Sequence, residues 1–189
     1  MRWLLEEIGV PYELSVVSLW LGAHKRKRYL AVHPLGKVPA LEIDQTVVFE
    51  SSGICLYLAD RFLEADLAPS PSERMLRADY CTWMAFSAGT LEPAILEQVR
   101  AKKASARGIP MLGLGPSLTP FDDIAEYMER HLSKRSFLVG DKITAADILN
   151  GSMMAWAHDI GLLEGRDAIL SWVASLKARP AYSRAIAKC

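Results

Sequence analysis

The chain has 189 residues, 51% of them hydrophobic and 23% charged, which is enough apolar material for a packed core and excludes a disordered or low-complexity chain. Its 22 basic and 22 acidic residues balance, which argues against a protein that grips nucleic acid through bulk charge. Three cysteines are too few for a disulfide framework and point to the cytoplasm, no apolar run has the length of a membrane span, and the opening MRWLLEEIGVPYEL carries glutamates where a secretory signal stays apolar.

Arg2–Ile8 has the pattern of a short helix, with Leu4, Leu5 and Ile8 one turn apart, and Gly9 ends it ahead of Pro11. Residues 12–17 read as a strand. The basic stretch from His24 to Arg28 runs into Tyr29 as a short irregular helix that His33-Pro34 stops. Residues 40–44 and 46–49 are two short strands with a tight connection at Asp44-Gln45. Residues 51–62 form a helix with Ile54, Leu58 and Phe62 on one face and Cys55 alongside.

Strand signals stop after Leu63, and Ala68-Pro69-Ser70-Pro71 reads as a linker. Residues 72–102 predict one long helix, with Met75, Trp83 and Phe86 toward its buried side and a bend near Pro93. Residues 108–120, rich in glycine and proline, read as a loop, and 121–132 as a helix. Thr144 and Asp147 form a variant capping box flanked by Ile143 and Ile148 at the spacing of a hydrophobic staple, so a helix starts there. Residues 166–177 are a further helix, and Pro180 opens a last short one. The expected organisation is a small α/β unit over 1–64, a linker over 65–71 and an all-helical unit over 72–189.

Two neighbouring motifs carry chemistry. Val38-Pro39 before a strand suggests a proline held cis, leaving the Val38 N–H and C=O facing outward, where a bound peptide pairs with them like an added strand. Glu50-Ser51 opens a helix whose free N–H groups suit a carboxylate. The Ser51 hydroxyl can donate to that carboxylate and Glu50 can accept from an ammonium. Alone, Glu50-Ser51 is an ordinary helix start; beside Val38-Pro39 it reads as a ligand site. Lys37 reads equally as a solvated turn lysine or a ligand contact, and His24 sits in a basic stretch that also reads as a solvated face. His131, His158, Cys55 and Cys81 read as structural, and nothing near the terminal Cys189 activates its thiol. No metal-ligand spacing, phosphate loop or hydrolase triad is present in the sequence.

Three segments together resemble the cytosolic glutathione transferases: Trp3-Leu-Leu-Glu-Glu-Ile-Gly-Val-Pro-Tyr-Glu13; His33-Pro-Leu-Gly-Lys-Val-Pro-Ala-Leu41 with Phe49-Glu-Ser-Ser-Gly-Ile-Cys-Leu-Tyr-Leu58; and Phe137-Leu-Val-Gly-Asp-Lys-Ile-Thr-Ala-Ala-Asp147. Order and spacing match over nearly the whole chain, and the middle segment is the most specific. The resemblance implies a thioredoxin-like N-terminal domain, a helical C-terminal domain, a homodimer, and glutathione as co-substrate, with no metal. It implies that Val38 pairs with the cysteinyl unit, that Glu50 and Ser51 hold the γ-glutamyl group, and that Lys37 and His24 reach the glycyl carboxylate. It places the hydrophobic electrophile near Trp83 and Phe86, for which plain core is the competing reading.

The chain opens inside what the resemblance makes the first helix, so the family's first strand and its catalytic tyrosine, serine or cysteine have no counterpart in this numbering. The thioredoxin-like part is therefore expected to be incomplete and the catalytic residue unknown. Either the sheet edges pair directly, another element fills the gap, or residues precede Met1. The expected activity is conjugation of glutathione sulfur to a hydrophobic electrophile. The alternatives are a non-catalytic binding or interaction module and, last, a redox role.

Overall fold

The computed structural model describes residues 1–107 and 119–187; most of the expected 108–120 loop and Cys189 lie outside them. Helix α1 (Arg2–Ile8) ends where Gly9 turns left-handed at φ 79°, as its sequence predicts. A 3₁₀ turn (Ala23–Lys25) and a one-turn helix α2 (Lys27–Leu30) follow. Strands β1 (Ala40–Ile43) and β2 (Thr46–Phe49) form an antiparallel hairpin. Its two turn residues, Asp44 and Gln45, both have positive φ (48° and 62°), the combination that matches the twist of paired strands. Helix α3 (Ser51–Arg61) starts one residue after β2 and buries Ile54, Cys55, Leu58 and Ala59.

Residues 12–17 are not a strand. Alternating apolar residues become a strand only when a neighbour accepts the backbone bonds. Among the described residues the only sheet is β1-β2, and Val16 stays 84% exposed.

The helical part contains α4 (Arg74–Phe86), α5 (Glu92–Ser105), α6 (Phe121–Leu132), α7 (Ala145–Asp159), α8 (Asp167–Lys177) and α9 (Pro180–Ala187). The single long helix expected over 72–102 is interrupted by a π-helical turn, Ser87–Leu91, immediately upstream of Pro93. Within this wider turn Ser87 and Leu91 are both buried. Met75 is 81% exposed rather than buried. It lies about 140° around the helix from Tyr80, and Tyr80, Trp83 and Met84 define the packed face. Cys81 is exposed.

Helix α7 is the centre of the molecule, buried over most of its circumference. Gly151 lets α8 approach closely, since a Cβ there would come within 2.6 Å of Leu176 Cδ1. The capping box forms as predicted. Asp147 accepts from the Thr144 N–H and Oγ1, both at 2.9 Å, and from the Leu138 N–H at 2.8 Å. One continuous core runs from Trp3 and Leu4 to Ala181 and Ala185.

Helices α1 and α9 are also joined by charge. Arg179 grips Glu7 with two bonds (2.7 and 2.8 Å), and Arg184 donates to the Glu6 carboxylate and backbone carbonyl, each at 2.9 Å. Burial works against the Glu7 charge, but the Arg179 and Trp3 hydrogen bonds prevail and hold its carboxyl below the ordinary 4.5. A folded value below the unfolded one gives stabilisation that is complete above about pH 4.5 and is lost as pH falls through the lowered value. Glu7→Gln is therefore expected to cost about 1–2 kcal/mol at neutral pH, and less in acid. Urea denaturation at neutral and acid pH measures this; an equal loss at both would refute the charge-based account.

Candidate functional site

The hairpin brings the two chemical motifs together. Ala40 opposes Phe49 as the last pair of the hairpin, so Pro39, which precedes Ala40, and Glu50, which follows Phe49, leave it at the same end. The Val38-Pro39 peptide is cis. Val38 is 43% exposed, and among the described residues no hydrogen bond occupies its N–H or C=O. Both groups are available to an extended ligand.

Glu50 is the one residue between β2 and α3, and it makes the whole change of direction. Its backbone sits at φ 67°, ψ 121°, a region that side-chain-bearing residues rarely adopt. No side chain caps α3, so the N–H groups of its first turn converge without a protein acceptor among the described residues. Glu50 is exposed and Ser51 half-buried at that end. A carboxylate held by Ser51 and the α3 N-terminus, with an ammonium held by Glu50, is the ligand this arrangement suits.

The loop bearing His24 and Lys37 is folded onto the same hairpin. Gly36, at φ 58°, is the hinge of that contact: a Cβ on it would lie 2.5 Å from the His24 carbonyl oxygen. This seats His24 against the residue preceding Lys37. Lys37 is exposed, and the buried His24 Nδ1 has no partner among the described residues. The contacts by which Tyr29 and His33 support this loop carried no signal in the sequence. Tyr29 donates to the Lys37 carbonyl at 2.6 Å, and buried His33 accepts the Leu35 N–H and packs its ring 4.7 Å from Phe49.

Trp83 and Phe86 belong to a separate aromatic group on α4 and α6. Trp83 is 4% exposed, with ring centroids of Phe86, Tyr127 and His131 at 5.1, 5.7 and 4.9 Å. Phe86 is half-buried at its edge. Helix α4 packs on α3, so this group and Ser51 share one scaffold. Burial lowers the His131 pKa, against the opposing contact of its Nε2 with the Leu138 carbonyl at 3.0 Å. Burial pushes the Cys55 thiol up, as suits a packed side chain rather than a nucleophile. Among the described residues no three His, Cys, Asp or Glu side chains group as a metal site. An open cleft of about 440 Å³, lined by Glu6, Gly9, Val10, Pro11, Tyr12 and Arg184, was not legible in the sequence because it forms between α1 and α9.

Residues 1–61 match the model of the glutathione S-transferase N-terminal domain. Over 97% of its length the chain is 28% identical to glutathione S-transferase 3 of Zea mays, covering 86% of that protein. It is 31% identical to human glutathione S-transferase theta-2 over 90% of the chain and 72% of that protein. Among solved structures, the fold superimposes on a sphingomonad glutathione S-transferase complexed with glutathione (TM-score 0.79, 22% identity, 99% of this chain and 91% of that one). It also superimposes on a glutathione transferase from Methylococcus capsulatus (TM-score 0.81, 27% identity, 99% and 91%). The architecture is thus the thioredoxin-like and helical combination, with a small two-stranded sheet in its N-terminal part.

Proposed function

The chain belongs to the glutathione S-transferase family, and from that premise we propose that it binds glutathione on the β1–α3 surface and conjugates it to a hydrophobic electrophile. The observation that supports this reading is the pairing of Ala40 with Phe49, which puts the cis Val38-Pro39 peptide and the Glu50-Ser51 helix start at one end of the hairpin. In the proposed complex the cysteinyl unit pairs with the Val38 backbone as a short added strand. The γ-glutamyl carboxylate accepts from Ser51 and the α3 N-terminus, and its ammonium donates to Glu50. Lys37 and His24 face the glycyl carboxylate. The thiol proton passes to solvent water, the sulfur forms its bond to the electrophilic carbon, and that carbon's bond to the leaving group breaks with the electron pair departing on the leaving group. A free thiol is only a few per cent ionised at neutral pH, so stabilising the thiolate is the chemical task.

Trp83 and Phe86 are the proposed neighbours of the electrophile, with Phe86 offering the accessible edge. The proposal includes the division into 1–64, a linker over 65–71 and 72–189, a homodimer, and a cytoplasmic setting.

Calorimetric titration of the chain with glutathione tests the binding step, with saturable one-to-one binding as the expected result. Conjugation of chlorodinitrobenzene above the uncatalysed rate tests the chemistry. A folded chain that does not bind glutathione would overturn the whole reading. Binding without any rate enhancement would leave a glutathione-binding module and remove the transferase step.

A further inference from the structure

Between Glu13 and Glu42 the chain has no acidic residue, yet it carries Lys25, Arg26, Lys27, Arg28 and Lys37. A chain of zero net charge thus concentrates cations in one stretch. All five are exposed, and none joins an ion pair among the described residues. Immediately before them the backbone closes a tight turn. The Ala23 N–H donates to the Ser18 carbonyl at 2.9 Å, the Gly22 N–H to the Leu19 carbonyl at 3.1 Å, and the Leu21 N–H to Ser18 Oγ at 3.2 Å. At the tip of this turn Leu19 is 52% exposed, Trp20 100% and Leu21 74%. Trp3, Trp83 and Trp172 are buried and Trp156 is half-buried, so Trp20 alone among the tryptophans stands fully in solvent.

The geometry points to a lipid-docking patch: the turn at Leu19, Trp20 and Leu21 enters the interfacial layer of an anionic membrane while Lys25, Arg26, Lys27 and Arg28 engage its headgroups. An indole with flanking leucines is the composition that prefers the boundary between headgroup and acyl chain. Cations beside such a wedge draw it to a negative surface, each contributing about fivefold in affinity at low salt. Nucleic acid fits less well, because Leu19 and Leu21 offer bases neither a stacking face nor a hydrogen bond. Among the described residues no helix is long and apolar enough to cross a membrane, so the attachment is peripheral. That no apolar run of the sequence has the length of a membrane span does not bear on surface attachment. This inference is independent of the conjugation reading.

Co-sedimentation of the full chain with phosphatidylcholine vesicles, with and without about 30% phosphatidylserine, tests it. The chain is expected to bind the anionic vesicles, to leave the neutral ones in solution, and to be released by salt. Arg26→Ala with Arg28→Ala is expected to weaken binding on the order of 30-fold. Trp20→Ala with Leu21→Ala is expected to abolish it; both pairs are solvent-exposed, and circular dichroism checks that each variant remains folded. The blue shift in emission on vesicle addition should vanish in Trp20→Phe. Failure to bind anionic vesicles at low salt overturns the proposal, as does binding indifferent to both double variants. Self-association that Trp20→Ala abolishes would assign the patch to a second copy, and tighter binding to a single-stranded oligonucleotide than to vesicles would assign it to nucleic acid; either outcome overturns the lipid assignment.

Discussion

Asp147→Ala is expected to destabilise the protein by about 3–5 kcal/mol, measured as a fall in the urea midpoint with the slope unchanged. The carboxylate is fully buried and accepts three hydrogen bonds, from the Leu138 N–H, the Thr144 N–H and Thr144 Oγ1. Truncation leaves those donors unpaired in the core, at the start of the helix on which α1, α3, α4 and α8 all pack. Thr144→Ala removes one donor together with its bond and should cost only about 1 kcal/mol. Asp147→Asn is not conservative, because its amide must face at least one of the three donors. The site also differs from Glu7 in its pH response. Burial pushes the Asp147 carboxyl above its ordinary 3.8 despite the hydrogen bonds. A folded value above the unfolded one means that its contribution falls as pH rises from 3.8 through the raised value, so mild acid spares this site. A loss below about 1 kcal/mol in Asp147→Ala would show that the capping box is dispensable.

Glu50→Gly is expected to move stability and ligand affinity in opposite directions. Glutamate at φ 67°, ψ 121° carries a backbone cost of about 1–3 kcal/mol, which glycine relieves, less the greater freedom glycine gains in the unfolded chain. The net expectation is a gain of about 1 kcal/mol. The same change removes the carboxylate proposed to hold the γ-glutamyl ammonium, worth about 10- to 100-fold in affinity. Adding Ser51→Ala should bring the loss to on the order of 100- to 1,000-fold. Thermal denaturation and glutathione calorimetry on the same samples give both numbers. Unchanged glutathione affinity in the double variant would remove these residues from the site, and destabilisation by Glu50→Gly would refute the strain argument.

This opposition has a geometric origin. The strand β2 ends at Phe49 and the helix α3 begins at Ser51, leaving one residue to turn the chain. Neither motif announces that cost. The sequence shows a polar pair before an apolar helical run, and the positive φ follows only from how closely the hairpin and helix are joined.

Elements whose physics closes within a few residues were legible from the residues alone. The Thr144–Asp147 box, the Gly9 stop, the hairpin turn at Asp44-Gln45 and the cis Val38-Pro39 peptide all appear where the local pattern places them. Val38-Pro39 and Glu50-Ser51 were legible as local motifs on either side of the two strands, and the two-residue turn pairs Ala40 with Phe49 between them.

What the local pattern could not supply depended on distant partners. Residues 12–17 have strand alternation, but without a paired neighbour among the described residues they form none. Met75 lost its expected burial because the packed face of α4 is chosen by α3 and α7, and those contacts favour Tyr80, Trp83 and Met84. Glu7 and Arg179 meet across 172 residues, and no spacing rule reaches that far. The exposure of Trp20 is equally a tertiary result: an indole in sequence reads as core, and only the folded chain shows that nothing covers it. Local hydrogen-bond closure and side-chain period are properties of the sequence, whereas partner choice and burial are settled by which surfaces the whole chain brings into contact.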